Sequence, residues 1–180
     1  MCIRDRRISD YTFSKCISLT EIKIPGNIRE IGYKSFSGCS GLREISIPST
    51  VKTVGIGAFE NCTELKDISL PTTLTEINYY TFSGCTSLTT LTLHSKLTAI
   101  NNYAFAGCKS LTEIHCKNSN PPLIGENTFR DVNRIGCKIF VPSKRAKKSY
   151  STALYWNEFT IYIEWCLLFF IRINYNEQKL

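Results

Sequence analysis

The chain has only two histidines in 180 residues, which leaves few candidates for catalysis by an imidazole. His94 and His115 stand apart from any nucleophile or carboxylate at motif spacing. The sequence has no G-x-S-x-G, no H-E-x-x-H and no phosphate-binding glycine loop. The residues therefore offer no catalytic set and no cofactor motif. Long apolar runs are missing as well: "WCLLFFI" stops at Arg172, well short of the roughly 18 residues a membrane-spanning helix needs. The start, "MCIRDRR", carries charge with no apolar stretch behind it, so it does not read as a secretory signal. Membrane insertion by this chain is not expected.

Cysteine, by contrast, is plentiful, with nine in the sequence. An odd number argues against a closed disulfide framework. The closest pair, Cys108 and Cys116, is too widely spaced for the C-x2-4-C pattern of zinc sites, so no metal site follows. Lysine and arginine total 22 against 15 Asp and Glu, a formal charge of +7. Part of that excess is one run, Lys144, Arg145, Lys147 and Lys148. Without interleaved aromatics the run reads as a solvated face, and nucleic acid is not an expected partner.

The cysteines at 16, 39, 62, 85 and 108 are separated by a constant 23 residues, and phenylalanines keep the same step at 13, 36, 59, 82 and 105. Apolar positions stay in register between them, as in Leu42, Ile45, Ile47, Val51 and Val54, then Leu65, Ile68, Leu70, Leu74 and Ile77. The unit is C-x2-L-x2-I-x-I-P-x2-[VIL]-x2-[IV]-x4-F-x2-C. A period of this length with an L-x2-L-x-L core is the signature of a leucine-rich repeat solenoid. The expectation is a right-handed coil of short parallel β-strands with turns and short helical segments. Each I-x-I triplet is a strand with two side chains inward and one outward.

Pro25, Pro48 and Pro71 end their strands for want of an N–H. The second apolar pair closes the opposite wall, and Gly38, Gly84 and Gly107 suit turns needing φ > 0. Cys39, Cys62, Cys85 and Cys108 are expected to form a buried, reduced column. A single copy cannot fold alone, because ordering it costs more entropy than its few apolar side chains return, so neighbours must stabilise one another.

These residues resemble the BspA-like, or Treponema-pallidum-type, leucine-rich repeat family, most clearly in "EISIPSTVKTVGIGAFENC" (44–62) and "AFAGCKSLTEI" (104–114). "NPPLIGENTFRDV" and "CKIFVP" are similar to the family's last repeat, and "KKSYSTALYWNEFTIYIE" (147–164) to the cap behind it. The resemblance implies a surface or secreted protein of a host-associated microbe, with a host or cell-surface protein as partner. The domain reading is a non-repeat start (1–7), the repeat array (8–142), a C-terminal cap (143–164) and a tail (165–180), in a C-terminal fragment of a longer protein. The function expected is a non-catalytic protein-interaction or adhesion module. A passive spacer carrying a missing N-terminal domain is the alternative, and oligomeric state is left open.

The ligand face should be the outward side of the strands, since exposed sheets are what solenoids offer to partners. One column reads Glu21, Glu44, Asp67, Thr90 and Glu113; the next reads Lys23, Ser46, Ser69, Thr92 and His115, with Phe140 outward on the final strand. The edge carrying Tyr33, Tyr79, Tyr80 and Tyr103 is an equal candidate, because tyrosine is enriched among binding hot spots.

Overall fold

Alternation of inward apolar and outward polar residues makes the I-x-I triplets strands, and their repetition makes those strands stack. The computed structural model describes residues 6–164. They form a parallel β-solenoid of about 7 turns spaced about 23 residues apart, with little helix. Residues 1–5 of the start and the tail 165–180 lie outside the described residues.

In chain order the strands are β1 (Arg7–Ile8), β2 (Glu30–Ile31), β3 (Glu44–Ser46), β4 (Thr53–Val54), β5 (Asp67–Ser69), β6 (Glu76–Ile77), β7 (Thr90–Leu93), β8 (Ala99–Ile100), β9 (Glu113–Cys116), β10 (Leu123–Ile124), β11 (Lys138–Val141) and β12 (Thr160–Ile163). The triplets build a front wall, as two parallel ladders, β3-β5 and β7-β9-β11-β12. The second apolar pairs build a back wall, again as two parallel ladders, β1-β2-β4 and β6-β8-β10. Register keeps like on like: Ile45 lies on Ile68, Leu91 on Ile114, and Ile139 between Ile114 and Ile161.

The third wall is the turn between the Phe and Cys columns. Phe13, Phe36, Phe59, Phe82, Phe105 and Phe129 stack face to face with ring centroids 5.1 to 5.6 Å apart. From Phe36 onward these rings are sealed from solvent. Beside them the buried thiols of Cys62, Cys85 and Cys108 each donate to the phenylalanine carbonyl of the preceding coil at 3.3 Å, and Cys39 does so at 3.0 Å. The seven described cysteines are free thiols, and all but Cys16 are buried, Cys116 included. Burial pushes the thiols of Cys62, Cys108, Cys116 and Cys137 up to about 12.

Gly38, Gly84 and Gly107 adopt φ between 73° and 75°, as their place before a cysteine requires. A second left-handed column was not legible: Tyr11, Lys34, Gly57, Tyr80 and Tyr103 repeat at the same step, with φ between 47° and 63°. Four of those five are not glycine, so the stacked coils hold a conformation that these side chains disfavour by about 1 to 2 kcal/mol each.

Proline acts as its chemistry demands. The β3–β5 and β9–β11 pairings, whose later strands precede Pro71 and Pro142, cover three residues, whereas β7–β9 and β11–β12, with Lys117 and Glu164 in proline's place, cover four. The Lys117 amide donates to Leu93 O at 2.8 Å, a bond that proline cannot make. The first triplet departs from expectation: Ile22–Ile24 forms no strand, and Leu19 and Ile22 are only partly buried. Its start is tied down by the Arg43 amide donating to Thr20 O at 3.2 Å, but a segment with a coil on one side only has half the burial of an interior rung.

Beyond the array, helix α1 (Lys144–Thr152) is capped by Ser143, whose Oγ accepts from the Ala146 amide at 3.1 Å. Its buried Tyr150 packs edge-on against Trp156. Trp156 and Phe159 close the phenylalanine stack against Phe129, and the indole Nε1 donates to Pro122 O at 2.8 Å. Strand β12 then adds a last rung to the front wall.

Candidate functional site

The outward side chains of the front wall form two aligned columns. Glu44 lies beside Asp67, and Ser46 beside Ser69. Thr90 lies beside Glu113, and Thr92 beside His115. Glu21 and Lys23 sit on the unpaired first triplet above β3. Together with Gly26 and Pro48, the residues Glu21, Lys23, Glu44, Ser46, Asp67 and Ser69 line a cleft of about 780 Å³. All six are exposed. None of Glu21, Glu44 or Asp67 has an ion-pair partner among the described residues, so the cleft presents an uncompensated acidic column beside Lys23 and two serine hydroxyls.

Further along, the face changes character. Thr90 and Thr92 leave the middle neutral. Glu113 and His115 come next, half-buried, with His115 Nε2 3.4 Å from Glu113 Oε2 and Nδ1 3.4 Å from Glu164 Oε1. Lys117 Nζ lies 2.6 Å from the same Glu164 oxygen and is the main reason that carboxyl titrates below its ordinary range.

Phe140 corrects the sequence reading. It is outward on β11 as expected, but only 5% exposed, because His115 stacks on one face at 4.8 Å and Tyr162 leans on the other at 5.7 Å. A ring sandwiched by its own neighbours is not free to meet a ligand; the exposed aromatic at that end is Tyr162. Tyr162 and Glu164 were missed in the sequence because "TIYIE" was absorbed into the cap; alignment of "TIYI" on "KIFV" would have found them.

The tyrosine edge is also built as a strip. Tyr11, Tyr33, Ile56, Tyr79 and Tyr80 are exposed large apolar side chains, and Tyr80 stacks on Tyr103 at 4.9 Å. Lys34 sits 5.7 Å from the Tyr33 ring centroid and pairs with Glu60 at 3.0 Å. His94 belongs to neither surface. It is buried at the end of β7, its Nδ1 accepts from the Lys96 amide at 3.3 Å, and desolvation holds its pKa below the ordinary imidazole value.

Among the described residues no group of three or more His, Cys, Asp or Glu is placed to hold a metal ion, and no helix is long and apolar enough to cross a membrane.

Comparison with known proteins fits this geometry. No curated protein sequence matches the chain. The structure of a leucine-rich cell surface protein from Faecalibacterium prausnitzii is similar, at 30% identity and a TM-score of 0.63, over 73% of this chain and 35% of that one. A leucine-rich repeat protein of T. pallidum matches at 30% identity and a TM-score of 0.58, over 61% of this chain and 51% of that one. The pneumococcal vaccine antigen PcpA, at 23% identity and a TM-score of 0.58, shares the fold over 81% of this chain and 41% of its own. The chain thus spans about a third to a half of the solved structures it matches. The family model for the BspA type leucine rich repeat region matches residues 6–139 in 6 copies, and the chain belongs to that family.

Proposed function

We propose that the chain is a non-catalytic protein-interaction or adhesion module of a cell-surface or secreted protein. Residues 8–142 serve as the array, 143–164 as its cap, and the front face as the binding surface, with a host or cell-surface protein as partner. The observation that carries this reading is the acidic cleft that runs from the unpaired first triplet across β3 to β5, because it joins exposed charge without ion-pair partners to a concave surface. Solenoids meet partners through such surfaces. The leucine-rich cell surface protein of F. prausnitzii supports the location.

The alternative is a passive spacer that only holds another domain away from a surface. Beads coated with the purified chain, presented to immobilised extracellular-matrix proteins and to cultured epithelial cells, separate the two. An interaction module retains beads above an albumin-coated control; a spacer retains none, and that outcome defeats the proposal.

A further inference from the structure

Both strand walls are interrupted at the same place. On the back wall β4 ends one ladder and β6 begins the next; on the front wall β5 ends one and β7 begins the next. One coil therefore meets its successor with no strand pairing on either wall. The third wall is continuous across this junction. The amides of Gly57, Phe59 and Asn61 donate to Tyr79, Thr81 and Ser83 at 3.0, 2.9 and 2.7 Å, Phe59 stacks on Phe82 at 5.4 Å, and Cys85 bonds Phe59 O.

The sequence changes type at this same point. Above it the back-wall strands are followed by Gly32 and Gly55, which approach so closely that a Cβ on Gly55 would lie 2.7 Å from the Gly32 carbonyl carbon and the Tyr33 amide. Below it the equivalent residues are Asn78 and Asn101, and glycine returns after β10 at Gly125. The Gly32 and Gly55 amides each donate to the coil above at 2.8 Å, and the Asn101 amide does so at 2.9 Å. At Asn78 the side chain takes over, with Nδ2 donating to Val54 O at 2.8 Å. On the front wall Pro25, Pro48 and Pro71 give way to His94 and Lys117, before proline returns at Pro142. At this junction a coil with glycine and proline at these two positions is followed by one with Asn78 and His94.

We propose that this junction is a hinge within the array, opening along both strand walls about the phenylalanine–cysteine turn wall as its axis. It divides the front face between Asp67 and Thr90, so the acidic cleft and the neutral and His115-bearing portion can change their mutual angle. A partner that touched both parts would set that angle. A hinge of this kind lies in the low-stability part of a fold, where amides open without global unfolding.

Hydrogen–deuterium exchange of the whole chain, corrected for intrinsic rates, tests it. Amides of residues 76–78 and 90–92 are expected to exchange at least tenfold faster than those of 99–101 and 113–115, their counterparts one coil later. A ratio below tenfold overturns the proposal. In a second arm, Asn78→Gly gives the junction the same residue as Gly32 and Gly55. It is expected to slow exchange at 76–78 at least threefold; unchanged or faster exchange, with the circular dichroism spectrum intact, refutes the assigned cause.

Discussion

Truncation of one ring in the phenylalanine stack tests how far each coil depends on its neighbours. Phe59 is fully buried and stacks on Phe36 at 5.2 Å and on Phe82 at 5.4 Å. Phe13 is half-buried and stacks on Phe36 alone, at 5.1 Å. Removing a buried Phe side chain costs about 3 to 5 kcal/mol in transfer and cavity terms, and ring pairing contributes about 0.5 to 1.5 kcal/mol per contact. Phe59→Ala should therefore cost about 4 kcal/mol and Phe13→Ala about 2 kcal/mol. Urea unfolding followed by far-ultraviolet circular dichroism reads the difference. With a slope of about 2 kcal/mol per molar urea, the midpoints fall by about 2 M and 1 M. A loss at Phe13 equal to or greater than that at Phe59 refutes the picture of interior rungs stabilised from both sides.

Four further outcomes follow from the packing. Gly55→Ala places a Cβ 2.7 Å from neighbouring backbone and should destabilise by about 2 kcal/mol or more, while Gly26→Ala, with open space around it, should stabilise by about 0.5 kcal/mol; thermal melts of the pair compare them. Alkylation of the native protein followed by peptide mapping should label Cys16 and spare Cys39, Cys62, Cys85, Cys108, Cys116 and Cys137. Because burial raises those thiols in the folded state, their contribution is intact below the ordinary thiol value and lost as pH climbs from about 9 towards 12, so urea midpoints should fall across that window. Trp156→Phe removes the donor to Pro122 O and part of the ring that closes the stack. It should lower stability by about 1 to 3 kcal/mol in the same urea assay.

The 23-residue step made the solenoid legible, because a column of inward side chains needs no more than its spacing to be recognised. Cys85, Phe82 and Leu91 fell where that spacing placed them, and so did the left-handed glycines before the cysteines. What stayed hidden depends on contacts between coils. The first triplet carries the full I-x-I-P pattern, yet makes no strand, and its Leu19 and Ile22 are only partly buried. The replacement of Gly55 by Asn78 looks conservative in a list of turn residues; its effect appears only where two backbones approach. Phe140 reads as an exposed aromatic from alternation alone, and only its flanking rungs, His115 and Tyr162, reveal that it is covered. The candidate face was thus readable as columns, but not as a cleft at one end and a self-packed aromatic stack at the other.

Charge reversal in the cleft tests the functional reading most directly. Retention of coated beads by matrix proteins and epithelial cells is measured for the native chain and for the Glu44→Lys, Asp67→Lys double variant, both checked for an intact circular dichroism spectrum. The account predicts retention by the native chain and at least a tenfold loss in the variant; no retention by either, or equal retention by both, contradicts it.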